Sequence, residues 1–417
     1  GCRKGEPFRG SRAEPWKNAG ALPRRPAKGM ITLGSHDHHA LAAGRVFDGE
    51  RFLRDRVVVV REGRIADLAT EPPAGLPITR LAEGTILAPG FIDLQVNGGG
   101  GVLLNDDSSV DGIARIAAAH RRGGTTALLP TLITDTRPAI RAAIAGIAAA
   151  ITAGVPGILG IHLEGPFLSP QRIGIHDPAR LAEFAPGDAA LLTGLGERGL
   201  ALVTLAPERV PPGAVADLVA RGARVCAGHT ADTGAAIRAA VGEGLTGFTH
   251  LFNAMSQIGP REPGAVGVAL AEEGTFAGII ADGHHVGDDQ LRLALRLKGR
   301  DRLMLVSDAM PPVGDARADA SFTLFGRRIV RTGDRLTGED GTLAGAAITM
   351  AQAVRHMSTR GGASLEEALA MASLTPARFL GLDTRLGRIA PGFAADLVAL
   401  SAETDVLATW IGGEQAP

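Results

Sequence analysis

The rhythm of apolar and polar positions changes near residue 90. From about residue 40 to 87, short apolar runs are separated by turns. Arg56-Val57-Val58-Val59-Val60 reads as a strand, Glu62-Gly63 as a turn and Arg64-Ile65-Ala66-Asp67-Leu68 as the next strand. Beyond residue 90, apolar strand-like runs alternate with helical periodicity. The runs are residues 91–96, 125–132, 157–163, 201–205, 224–227, 247–250, 277–281 and 303–307. Helices are expected over 110–121 and 138–152, the latter with Ile140, Ile144, Ile147 and Ile151 on one face. Eight strands with intervening helices are the count of a closed α/β barrel of the (β/α)8 TIM type, with an open doubly wound sheet as the alternative. The barrel is preferred because polar residues recur at the carboxyl ends of many strands, where barrels carry their chemistry. After Asp308, residues 322–330 read as a hairpin with Gly326 at its turn. Helices follow at 346–360 and 365–372, and another begins at Thr375. Residues 387–400 return to strand and turn. They are expected to pack with the N-terminal strands as one small β-sandwich built from both chain ends. The expected division is a disordered tail or upstream extension over 1–29, sandwich over 30–88, barrel over 89–380 and sandwich again over 381–417.

Three strand ends stand out. The run Gly157-Ile158-Leu159-Gly160-Ile161 leads into His162-Leu163-Glu164-Gly165-Pro166-Phe167 and leaves the Glu164 carboxylate where a buried strand runs out. A charge there is costly unless something pairs with it. Arg224-Val225-Cys226-Ala227-Gly228 ends in His229, and Gly247-Phe248-Thr249 ends in His250. Any one of these alone reads as a polar strand cap. One Glu and two His at the same end of three strands make a ligand set for a catalytic divalent metal with an open position.

Composition narrows the partners. Lys and Arg number 43 against 44 Asp and Glu, which argues against a general nucleic-acid or membrane-surface binder. No apolar run is long enough to span a bilayer. Of the two cysteines, Cys2 lies in a polar tail and Cys226 in an apolar strand, so no disulfide framework is indicated and a reducing cytoplasm fits. Ser35-His36-Asp37-His38-His39 is rich in metal-binding groups, but it precedes the first clear strand and reads as a solvated loop. Gly98–Gly101 lacks the Lys-Ser/Thr of a nucleotide loop and is expected to carry the chain across the barrel mouth.

Six motifs in order carry a resemblance: Pro89-Gly90-Phe91-Ile92-Asp93, His162-Leu163-Glu164-Gly165-Pro166, Gly228-His229-Thr230, His250-Leu251-Phe252-Asn253-Ala254-Met255, Ala281-Asp282-Gly283-His284-His285 and Ser307-Asp308-Ala309. From Met30 onward the chain resembles the N-acetylglucosamine-6-phosphate deacetylases of the amidohydrolase superfamily. The resemblance implies hydrolysis of the acetamide to glucosamine 6-phosphate and acetate. It implies one divalent metal, Zn2+ first and Fe2+, Co2+ or Mn2+ as alternatives, held by Glu164, His229 and His250. Such an ion lowers the pKa of bound water toward neutrality.

It further implies Asp308 as the acid–base that takes a proton from the attacking water and gives it to the leaving amine. His176 is implied near the substrate, to orient or polarise the carbonyl. Where many superfamily members carry His-x-His on the first strand, this chain has Gln95-Val96-Asn97, and amides are poor ligands for such metals. Gln95 and Asn97 either fill the mouth or hydrogen-bond water or substrate. Arg261 is the leading phosphate contact because guanidinium pairs with phosphate through two hydrogen bonds. Asn253, the Ala254 backbone and His285 are implied beside it, with Ile175 and Leu343-Ala344-Gly345 lining the sugar site. Arg172 and Lys298 are expected to be surface charges. The resemblance implies a homodimer or higher oligomer in which a neighbouring chain helps to close the phosphate pocket. A galactosamine-epimer enzyme would share every motif. Other cyclic-amide hydrolases would show His-x-His and a bridging Lys, and an inert scaffold would need none of Glu164, His229, His250 and Asp308.

Overall fold

The computed structural model describes residues 38–315 and 321–416. The expected tail over 1–29 lies outside them, as do Cys2, His36 and Asp37. His38 and His39 are not in a loop, as expected, but open the strand His38–Phe47. Their neighbours explain it: Ala40, Leu41, Ala43 and Val46 are buried, and the whole run pairs with Phe52–Arg61.

Eight parallel strands follow one another in sequence order: Phe91–Val96, Thr125–Ile133, Gly160–Glu164, Leu200–Leu205, Arg224–Ala227, Gly247–Phe248, Phe276–Ile279 and Leu303–Leu305. The first two are buried along their whole length, as strands covered on both faces must be. Ile140, Ile144, Ile147 and Ile151 are buried on the inner face of the helix Arg137–Thr152, which Thr136 caps. The first and last strands meet through a parallel bridge between Val96 and Ala309, and side chains complete the seam. Asp93 accepts from the Ser307 amide at 3.2 Å, from the Ser307 hydroxyl and from the Gln95 amide at 3.3 Å. Burial pushes the Asp93 carboxyl up to about 7, against the lowering effect of those bonds. Gly98–Gly99 pairs with Val102–Leu103 as a small hairpin that packs on this seam, Gly98 donating to the Ala309 carbonyl and Gly101 to that of Pro311.

Strands from both ends share one mixed eight-stranded sheet, with Leu397–Leu400 antiparallel to Ile86–Pro89. The sheet curls. A Cβ on Gly63 would lie 3.2 Å from the Gly412 carbonyl, which joins the turn at one edge to the turn at the other. Leu41, Val58, Val60, Ile65, Leu397 and Trp410 fill the space enclosed.

The insertion after the eighth strand is larger than the expected hairpin. It is a four-stranded sheet of Phe322–Leu324, Arg327–Thr332, Arg335–Gly338 and Leu343–Ala346. The expected helix from 346 therefore starts later, at Met350–Thr359, because Leu343–Ala346 is a strand and Thr349 forms a capping box with Gln352. That strand is stitched to the segment after the eighth barrel strand: Ala346 donates to the Asp308 carbonyl and Met310 to that of Ala346.

Candidate metal centre and active site

Glu164 is the last residue of the third barrel strand, while His229 and His250 follow the fifth and sixth strands by two residues. His229, His250 and Asp308 all take left-handed backbone conformations, with φ of 49°, 31° and 49°. Each turn costs roughly 1–3 kcal/mol in a non-glycine residue. It takes the residue out of the strand's alternation and turns the side chain in over the mouth. Glu164 Oε1 lies 3.1 Å from His229 Nε2 and 2.9 Å from His250 Nε2, and the two imidazole nitrogens are 3.0 Å apart. All three residues are buried. Burial alone would raise the Glu164 pKa, but bonds from the two imidazoles hold it well below the usual carboxylate range.

The set fits a divalent ion. His229 Nδ1 donates to the Arg172 carbonyl at 2.9 Å, which orients the ring so that Nε2 faces the other ligand atoms and can give a metal its lone pair in place of the proton it shares with Glu164. Among the described residues, Glu164, His229 and His250 are the group whose ligand atoms converge this way. Two nitrogens and a carboxylate oxygen suit zinc and its first-row neighbours.

Asp308 sits across the pocket, partly open to it. Gln95 Nε2 bridges the two carboxylates, donating to both Glu164 oxygens at 3.2 and 3.1 Å and to Asp308 Oδ1 at 3.1 Å. Asn97 Nδ2 adds a 2.7 Å bond to the same Asp308 oxygen. Burial first, and then the Glu164 charge, raise Asp308 above the ordinary aspartate range. Such a shift suits a group that must both accept and return a proton.

The pocket above them holds about 350 Å³. Asn97, Ile175, His176, Asn253, Ala254, His285, Leu343 and Gly345 line it together with the three ligands and Asp308. His285 Nδ1 is paired with Asp282 at 2.6 Å, which sets the ring. Gly345 has φ +62°, and a Cβ there would stand 2.7 Å from the Asp308 carbonyl, so only glycine permits this close approach. Gln95 lies beneath the pocket, and Ala344 is buried behind it with Met310 and Ile175. Arg261 is exposed and lies outside the lining.

Arg172 is exposed, as expected of a surface charge, and also lines the pocket, where its carbonyl is tied to His229. The other expected surface charge is corrected. Lys298 is buried and donates to the Glu272 carbonyl and Thr275 hydroxyl, and burial pushes its pKa down to about 8. The sequence reading also missed Ile133, Gln171, Gly174, Met310 and Thr342 as lining residues. Gly174 flanks the named Ile175-His176, which is a usable signal. Ile133 and Met310 read as ordinary apolar strand and loop residues.

A barrel with one Glu-His-His centre at the carboxyl ends of its strands and an opposed carboxylate is a metal-dependent hydrolase site. The chain matches the model of the Amidohydrolase family over residues 86–416 and belongs to that family. It is 44% identical over 352 residues to the N-acetylgalactosamine-6-phosphate deacetylase of Shewanella sp. (strain ANA-3), covering 84% of this chain and 88% of the relative. It is 39% identical over 391 residues to the N-acetylglucosamine-6-phosphate deacetylase of Bos taurus, covering 89% and 93%. The crystal structure of N-acetylglucosamine-6-phosphate deacetylase from Pasteurella multocida superposes with a TM-score of 0.87 at 32% identity, covering 91% and 99%.

Proposed function

We propose that the protein hydrolyses the acetamide of N-acetylglucosamine 6-phosphate to glucosamine 6-phosphate and acetate. The observation that carries this is the convergence of Glu164, His229 and His250 opposite Asp308 in one pocket of a chain whose relatives are named for this reaction. A divalent ion at the three ligands, zinc by choice of donors, supplies Lewis-acid polarisation and an acidified water. Asp308 takes the proton of the attacking water as the new C–O bond forms. It returns that proton to the amine nitrogen as the C–N bond breaks. Gln95 and Asn97 aim the carboxylate by holding its Oδ1. Arg261 binds the phosphate. Its exposed position outside the lining supports a role across the interface of a homodimer.

The galactosamine epimer is the second reading, favoured by the 44% identity to an enzyme named for it. Among the described residues no helix is long and apolar enough to cross a membrane. The cytoplasm is our proposal for the compartment, supported by a sequence with two cysteines and no disulfide framework. The test is acetate release from N-acetylglucosamine 6-phosphate beside the galactosamine epimer and the unphosphorylated sugar, with metal analysis of the purified protein. Release from neither phosphate would reject the reading. Two tightly held metal equivalents per chain would reject the single centre.

A further inference from the structure

The pocket has one continuous apolar wall. Ile133, Ile175 and Met310 line it, and they belong to a single buried cluster with Leu324, Ile329 and Leu336 of the insertion. The wall is thus the edge of the insertion's own hydrophobic core, and it adjoins the reacting floor. Ile133 ends the second barrel strand in register with Glu164. Asn105 fixes its backbone at both groups, accepting from the amide at 3.2 Å and donating to the carbonyl at 2.9 Å. Met310 follows Asp308 by two residues, and its amide donates to the Ala346 carbonyl at 3.1 Å. A Cβ on Gly345 would stand 2.6 Å from Met310 Cγ, so the thioether chain lies directly against that glycine. Other parts of the lining present Asn97, His176, Asn253, His285 and Thr342, which are polar.

In the reaction proposed above, the amide oxygen turns to the ligand set and the nitrogen to Asp308. The third substituent of the carbonyl carbon, the acyl tail, is left for a wall beside them. A methyl against Asn253 or His285 would strip water from polar groups and return no bond. Against Ile133, Ile175 and Met310 it buries apolar area. We propose that these three residues form the acyl subsite and that Met310 sets its length and polarity. The substrate class is then amino-sugar phosphates with short apolar N-acyl groups, which rests on the amino-sugar reading. Methionine is unbranched and flexible, so it can give way to one further methylene. A hydroxyl on the tail finds only a weak thioether acceptor there.

The test is a series that differs only in the tail: the N-acetyl, N-propionyl and N-glycolyl amides of glucosamine 6-phosphate, with the N-acetyl galactosamine epimer as a second parent. Calorimetry on zinc-loaded Asp308→Asn protein reads binding, and release of the free amine by the wild type reads turnover. N-propionyl should bind as tightly as N-acetyl or up to about fourfold tighter, the gain for one buried methylene. N-glycolyl is nearly the size of N-propionyl and should bind about five- to a hundredfold more weakly than it, the cost of an unpaired buried hydroxyl. Turnover should follow the same order. Met310→Gln keeps the length of the side chain and adds an amide, so N-glycolyl should gain about tenfold on N-propionyl. Met310→Leu should keep the wild-type order. N-glycolyl bound as well as N-propionyl by the wild type, or an order that Met310→Gln does not move, overturns the proposal. Should Met310→Gln fail to fold, Met310→Ala takes its place: N-butyryl should gain about fourfold or more on N-acetyl, and no gain overturns the proposal. If neither parent binds, the substrate reading falls and the acyl subsite with it. A parent that binds while the tails follow another order overturns the acyl subsite alone.

Discussion

The floor of the pocket and its outer edge follow different rules. On the floor both carboxylates are held from several sides. Glu164 is held by His229, His250 and Gln95, and Asp308 by Gln95 and Asn97. Arg172 lines the pocket's outer edge and Arg261 lies beyond the lining; both are exposed, and among the described residues neither guanidinium has a carboxylate partner. The reacting end is preorganised within one chain, at the expense of left-handed backbone at three of its residues. Uncommitted positive charge is what the phosphate contact proposed for Arg261 requires.

The sharpest way to break the floor is Asp308→Asn. The amide oxygen can still accept from Gln95 and Asn97, so geometry and metal content should persist. The proton acceptor is lost, and kcat should fall by about 10²–10⁴-fold, more if one group serves both transfers. Steady-state kinetics with metal analysis checks this, and near-normal turnover would remove Asp308 from the mechanism.

The same contrast explains what was legible in the sequence. Strand ends are local signals, so Glu164, His229, His250 and Asp308 could be read from apolar runs that stop at a polar residue. The resemblance then supplied their roles. Gln95 could not be read this way: its contacts to Glu164 and Asp308 span 69 and 213 residues, and an amide in a strand has no pattern of its own. Lys298 was misjudged because a charged residue near a helix end usually reaches water, whereas here two acceptors bury it. The insertion was underestimated although its later turns carry the same Gly signal, Gly333 at φ +63° and Gly341 at +82° beside Gly326 at +78°, because the strands they join are short, four residues each at Arg335–Gly338 and Leu343–Ala346.

A second test addresses the buried seam under the floor. A free aspartate loses its proton near 4, whereas native Asp93 holds it to about 7. Between those values the folded chain binds the extra proton, so Asp93 makes stability fall as pH rises from about 4 to 7. At roughly 1.4 kcal/mol per pKa unit the effect reaches a few kcal/mol. Asp93→Asn should flatten that slope, gaining on the parent as pH rises in urea unfolding. Parallel pH profiles would place the charge elsewhere.

The edge is tested by Arg261→Ala. If its guanidinium meets the phosphate, KM should rise on the order of ten- to a hundredfold for the phosphorylated sugar and little for the unphosphorylated one, since a charge-assisted bond is worth roughly 1.5–3 kcal/mol. An equal effect on both would leave Arg261 as a surface charge. Mixing Asp308→Asn chains with Arg261→Ala chains, at a substrate concentration where each alone turns over slowly, separates the subunits. Recovered activity places Arg261 in its partner's site, and none in verified mixed dimers places it in its own.

The smallest expected effect isolates the backbone of the floor. Asp308→Gly and Asp308→Ala both delete the carboxylate, so their difference excludes its hydrogen bonds and charge. At φ 49° the alanine Cβ crowds the backbone, a strain of roughly 1–2 kcal/mol that glycine lacks. Glycine's greater loss of chain entropy returns about 0.5–1 kcal/mol of this. The glycine variant should therefore be the more stable by up to about 1 kcal/mol in urea unfolding. Arg261 is not among the residues with positive φ, and there the order should reverse, with alanine the more stable. Alanine the more stable at both positions would mean that the left-handed turn at Asp308 costs nothing, and that the two positions do not differ in stored strain.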